Sequence, residues 1–348
     1  MNHKAQKVLN ESITIDCLHH CLFIDPPIEA DDKTNLIDML LAGGVTCISD
    51  TVLDDNYPST FDEFCKATID YYLLADTLPD QVLIVNNAMD IERAKREHKL
   101  AVILSTQGSE LFQSDLRYVQ LAYRQGLRIA QLTYNQQGSL GSGVYEPEDH
   151  GLTRFGQQCI YEFNRLGIVM DLSHVGERTS LEAIDHSEDP AIFSHSSTKA
   201  LCHHRRNASD EQIKRCSAKG GVICVCPHSI MCDDDNSKWP TVDRFIDHIL
   251  HIAEIASIDN VGVGTDRWKR STLFAKMKRI SFGRTLPGWY GGFDDFHKQV
   301  EGFNYFDKWE NFVDRMLARG LSEEEASKVL GGNLMRVFHQ VMDKNIAK

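Results

Sequence analysis

Nowhere in the 348 residues does an apolar run approach the roughly 20 residues that a membrane-spanning helix needs, which excludes an integral helical membrane protein. Proline is scarce, at 9 residues, and 42% hydrophobic with 25% charged residues is a folded composition, not a disordered one. Basic residues are in deficit, 37 against 50 acidic, for a formal charge of -13. A nucleic-acid or anionic-membrane surface wants a positive field, so neither partner is expected. The start MNHKAQKVLNES has no apolar signal-peptide core, which points to the cytoplasm. Neither GxGxxG nor GxxxxGK[ST] occurs, so dinucleotide and P-loop readings have no support, and GxSxG is missing as well.

No CxxC pair occurs among the ten cysteines at 17, 21, 47, 65, 159, 202, 216, 224, 226 and 232. Most lie in apolar runs such as TCISD and VICVCP, which reads as reduced, buried thiols. Cys17-x-x-x-Cys21 has a spacing that metals accept, but no second pair completes a four-ligand set.

What is present is alternation. Near-continuous apolar or β-branched runs at 13–18, 45–50, 82–87, 101–106, 128–134, 167–174, 191–196, 221–226 and 261–266 read as parallel strands buried on both faces. Amphipathic stretches lie between them. One is 155–166, preceded by Thr153 and stopped by Gly167, and another is 241–257. Nine strands at βα spacing fit an α/β fold, either doubly wound or a (β/α)8 TIM barrel with one extra strand. A single barrel domain over 1–348 is expected, with an aromatic- and glycine-rich insertion at 267–306, read equally as a lid or as an oligomer contact.

A barrel keeps its chemistry at the C-terminal ends of its strands. Polar residues collect there: Asp16, His19 and His20, Asp50, Gln107, Tyr134 and Asn135, His174, His195, and Asp266. Any one of them suits an ordinary hydrogen-bonded core. Two histidines and an aspartate at three separate ends, in DLSH, FSHS and GTD, are what a hydrolase uses to hold a metal and activate water.

These residues resemble the membrane (renal) dipeptidase family of zinc peptidases. The likeness is carried by LTYNQQ, GLTRFGQQCIYEFNRLGIVMDLSHVGERT, IFSHSS, HRRN, GVGTD and LGGNLMRVF, in that order. The resemblance implies a metallo-dependent (β/α)8 barrel that hydrolyses dipeptides with two zinc ions bridged by a carboxylate. It implies metal ligation by His174 and His195, a proton-handling role for Asp266 and a substrate grip by Arg206, whose planar fork suits a carboxylate. The chain also departs from the family. The first-strand His-x-Asp falls on Leu18 and His20, the bridging glutamate on Gln107, and the substrate histidine on Tyr134. After Asp266 the family's continuation is replaced by RWK.

The metal ligands expected are therefore His174, His195, His20 and Gln107, holding zinc, one ion rather than two. Asp266 is expected as the catalytic residue, and Arg206, Tyr134 and Asn135 at the substrate. The implied activity is cleavage of the amide bond in a dipeptide or similar small N-substituted amino acid by metal-activated water, in a homodimer. The alternative is a catalytically silent barrel that binds a small ligand or partner.

Overall fold

The structure is a computed structural model that describes residues 3–19, 30–54, 59–235, 238–267, 299–304 and 308–345. His20 and Cys21 lie outside the described residues, as does most of the 267–306 insertion.

Nine strands form among the described residues: β1 (Ile15–His19), β2 (Cys47–Asp54), β3 (Val82–Ile84), β4 (Leu100–Gln107), β5 (Leu127–Gln131), β6 (Val169–Asp171), β7 (Ile192–Phe193), β8 (Val222–Val225) and β9 (Val261–Val263). Each overlaps one of the apolar runs. All pairings are parallel, in the order β1-β2-β4-β5-β6-β7-β8-β9, with β3 set off that path against β4. The fold is thus the eight-stranded (β/α)8 barrel, and β3 is the extra strand.

The barrel nearly closes where β9 runs back to β1. The Asp266 amide donates to the Leu18 carbonyl at 2.9 Å, and His19 forms a parallel bridge with Arg267. Buried Asp16 adds a side-chain clasp by accepting from the Thr265 amide at 2.7 Å and from its hydroxyl at 2.5 Å. Burial raises the Asp16 carboxyl above its usual range, opposed by His19 and by the two Thr265 hydrogen bonds.

Strand side chains alternate between two apolar clusters, as period-2 geometry requires. Ile48, Val102 and Leu104 face the surrounding helices. Ile15, Cys47, Ala101, Ile129, Val169, Ile192 and Val222, from the early part of their strands, pack together with Leu334, Val337, Phe338 and Val341 of the helix Asn333–Met342. That helix plugs the N-terminal end, which leaves the C-terminal mouth for polar groups.

The helix Arg154–Leu166 has the caps its sequence announces: the Thr153 hydroxyl accepts from the Gly156 amide, and Gly167 takes the left-handed conformation, φ 86°. Val242–Ile255 buries Val242, Phe245, Ile246, Ile249 and Ile252 on one stripe. The nine described cysteines all carry free thiols, and all but Cys65 are buried. No helix among the described residues is long and apolar enough to cross a membrane.

Candidate active site at the barrel mouth

His174 follows β6 and His195 follows β7. Their Nε2 atoms face each other at 3.0 Å in a buried setting. Each ring is fixed from behind. Nδ1 of His174 lies 2.7 Å from Asn135 Oδ1, and Tyr134 stacks on the same ring with centroids 4.2 Å apart. Nδ1 of His195 lies 2.7 Å from Ser194 Oγ, which donates to Asp171 Oδ2 at 2.6 Å.

These contacts set the tautomers. A carboxylate only accepts, so the Ser194 hydroxyl is spent on Asp171 and must accept from His195 Nδ1–H. Asn135 Oδ1 likewise accepts from His174 Nδ1–H. Both Nε2 lone pairs then point at one another, an arrangement that a shared cation relieves. Two nitrogens each about 2.0 Å from one tetrahedral zinc ion stand roughly 3.3 Å apart, a small widening from the 3.0 Å seen here, so the donor set fits a metal.

Asp171 is the anchor of this region. Its Oδ1 accepts from the Ser173 and Ser194 amides at 3.0 and 2.9 Å, tying the ends of β6 and β7 together. Burial raises its carboxyl, and the three hydrogen bonds counter that. The Ser173 hydroxyl accepts from the His195 amide at 2.9 Å.

Arg206, in the loop after β7, is buried and donates from Nη2 to the His195 carbonyl at 3.4 Å. Its Nη1 is buried with no hydrogen-bond partner among the described residues. A small cavity runs between His174 and Arg206, lined also by Val144, Phe193 and Ser196. An unsatisfied guanidinium nitrogen beside a cavity is costly for folding and useful for gripping an anion. Next to it, burial and then the charges of Arg206 and His228 push the His204 imidazole down to about 4.

Asp266 follows β9. It and His174 have left-handed backbones, φ 48° and 67°. Such strain in residues other than glycine gathers at functional sites. Asp266 Oδ2 is 3.6 Å from His228 Nε2, and Cys226 completes a cluster whose donor atoms lie within 4.8 Å of one another. Burial, reinforced by Asp266, pushes the Cys226 thiol well up.

The other strand-end residues have their own partners. Gln107 donates to Thr51 Oγ1 at 3.2 Å, and His19 lies 3.4 Å from Asp50, which also accepts from Tyr71 at 2.8 Å. Arg267, the cation that follows Asp266, donates to Gln299 and to the Phe303 carbonyl. Asn135 holds the His174 ring, a task its position in the sequence did not suggest. Sequence reasoning took Cys226 for a strand thiol and passed over His228, although CVCPHS places both just past a strand end, the rule that found His195.

The family model described as membrane dipeptidase (peptidase family M19) matches residues 62–281 and 276–347. The chain belongs to the membrane dipeptidase family. Dipeptidase tcpJ of Claviceps purpurea is 30% identical over 76% of this chain. The chain spans about half the length of the curated relatives it matches, 56% in that case. An amidohydrolase structure from Pseudomonas aeruginosa superimposes with a TM-score of 0.85 at 28% identity, covering 98% of this chain and 99% of that one. A metallo peptidase from Rhodobacter sphaeroides, liganded with a phosphinate mimic of the dipeptide L-Ala-D-Ala, has a TM-score of 0.76 at 17% identity. It covers 95% of this chain and 100% of its own, a likeness of fold.

Proposed function

We propose that the protein hydrolyses the amide bond of a dipeptide or a similar small N-substituted amino acid, with zinc held by His174 and His195. The observation that carries this is the pair of imidazoles at 3.0 Å, each with its tautomer set so that Nε2 is the donor atom. Family membership supports the reaction class, and the Claviceps and Pseudomonas relatives are named a dipeptidase and an amidohydrolase. When bound, zinc supplies a Lewis acid that polarises the scissile carbonyl.

The chain's own residues do the rest. Arg206 grips the substrate carboxylate through the face that carries Nη1, and Tyr134 closes one wall. Asp266 accepts a proton as water adds to the carbonyl carbon. It returns that proton to the amine nitrogen as the C–N bond breaks. Gln107 and His20 are the further ligands in this reading, with a single ion per site. Free thiols among all nine described cysteines support a reducing compartment, the cytoplasm, and a homodimer is the assembly proposed.

The test is His195→Ala, assayed on dipeptides and N-acyl amino acids alongside zinc content by elemental analysis. Loss of turnover and of the one zinc equivalent that this pair holds is expected. Turnover that survives the change sinks the assignment, and a wild-type protein that takes up no zinc returns the barrel to a binding role.

A further inference from the structure

Beyond the histidine pair, the mouth carries a second set of donors. Cys226 directly follows β8, His228 opens the next segment, and Asp266 follows β9, the neighbouring strand. Sulfur, imidazole nitrogen and carboxylate oxygen all lie within 4.8 Å of one another, with Cys226 and His228 buried. We propose that Cys226, His228 and Asp266 form a binding site for a borderline-soft divalent cation such as zinc, separate from the His174–His195 pair.

The chemistry selects the ligand. A buried thiol, imidazole and carboxylate converge on the donor set that zinc accepts, and a hard cation such as magnesium would prefer oxygen throughout. Distances agree. Ligands at about 2.0–2.3 Å from a tetrahedral ion stand roughly 3.3–3.7 Å apart, and His228 Nε2 is 3.6 Å from Asp266 Oδ2. Three protein ligands leave a fourth position open, as in catalytic zinc sites.

The surroundings place these donors on one side of Asp266. Across β9, the first strand offers Leu18, which has no donor, and His19, turned toward Asp50 at 3.4 Å. The β8 side is held firmly. Ser197 donates to the Cys226 carbonyl at 2.9 Å, the Val300 amide to the Pro227 carbonyl at 2.9 Å, and His228 bridges to Gln299. His228 Nε2 also donates to the Asp266 carbonyl at 3.1 Å. Metal entry exchanges that hydrogen bond for coordination, shifts the ring proton of His228 to Nδ1 and releases the Cys226 thiol proton to solvent. Asp266 contributes Oδ2, and its second oxygen keeps the proton-handling role.

Cobalt(II) tests this in the full-length, metal-free protein, since a thiolate ligand gives a near-ultraviolet charge-transfer band that imidazole and carboxylate do not. The band is expected in the wild type and in His195→Ala, and it should vanish in Cys226→Ser. Absence of the band in the wild type, or its persistence in Cys226→Ser through another thiol, overturns the site. His228→Gln keeps the sulfur and guards against a misfolded serine variant. It should weaken cobalt binding at least tenfold, and unchanged affinity also overturns the site. The band needs no turnover, so a failure of the hydrolase reading and a failure of this one look different.

Discussion

Ser194 stands between His195 and Asp171, taking a hydrogen bond from one and giving one to the other at 2.7 and 2.6 Å. This three-residue chain runs inside the barrel wall, where water cannot replace any member. It therefore fixes which nitrogen of His195 keeps the lone pair that the proposed zinc site uses. Such outer partners usually matter nearly as much as the ligands they orient.

Asp171→Asn tests that chain. An amide NH2 in place of Oδ2 donates to Ser194, whose hydroxyl then turns to His195 Nδ1 and moves the ring proton to Nε2. Zinc affinity should fall by about 10–100-fold. Ser194→Ala, which removes the relay without reversing it, should cost less. Zinc competition titrations read both. Equal affinity across wild type and Asp171→Asn would mean that the tautomer is set elsewhere.

Arg206→Lys separates grip from charge. Lysine retains the cation and loses the planar fork, so one of two parallel hydrogen bonds to a substrate carboxylate disappears. KM should rise about tenfold or more with kcat changed much less. A fall in kcat at constant KM would place Arg206 in the chemical step instead.

Much of the fold was legible because its signals are local. Every strand of a parallel barrel is buried on both faces, so each reads as an apolar run, and Thr153 and Gly167 mark their helix by capping chemistry alone. The histidines were legible because they sit at strand ends in short motifs. The grouping of Cys226 and His228 with Asp266 was not, since a thiol with donors beside it and a buried structural thiol have the same apolar neighbours. The two differ only in what β9 brings alongside. The role of Asn135 was hidden in the same way, because His174, 39 residues further on, decides it.

Gly264 explains why GVGTD needs its second glycine. A Cβ there would lie 1.8 Å from the Ser194 carbonyl oxygen and 3.4 Å from His195 Cβ. Gly264→Ala must push β9 away from the end of β7, at a cost on the order of 3 kcal/mol or more, and it should displace His195 as well. Gly332 is the control. Its backbone is right-handed helical, and the added Cβ meets its nearest atom at an ordinary 3.4 Å. Gly332→Ala should be neutral or stabilising by about 0.4–1 kcal/mol. Denaturant midpoints compare the two, and equal stabilities would show that the β7–β9 contact yields easily.

His248 predicts the acid limb of the stability curve. Its Nδ1 accepts from the Thr198 amide at 3.1 Å and its Nε2 donates to the Cys232 carbonyl at 2.9 Å, so the fold uses the neutral ring. Burial above all lowers its pKa to about 4 from 6.5. Below the unfolded value the unfolded chain takes up a proton that the folded one refuses, and stability drains away as pH falls from 6.5 toward 4. Above that window the group contributes no slope. Between pH 7 and pH 5 the loss from this one ring should be about 2 kcal/mol. His248→Gln lacks the titration, so it should lose correspondingly less over the same interval, whatever its stability at pH 7. Urea unfolding at the two pH values measures the difference, and identical acid losses in the two proteins would mean that His248 is protonated in the folded state.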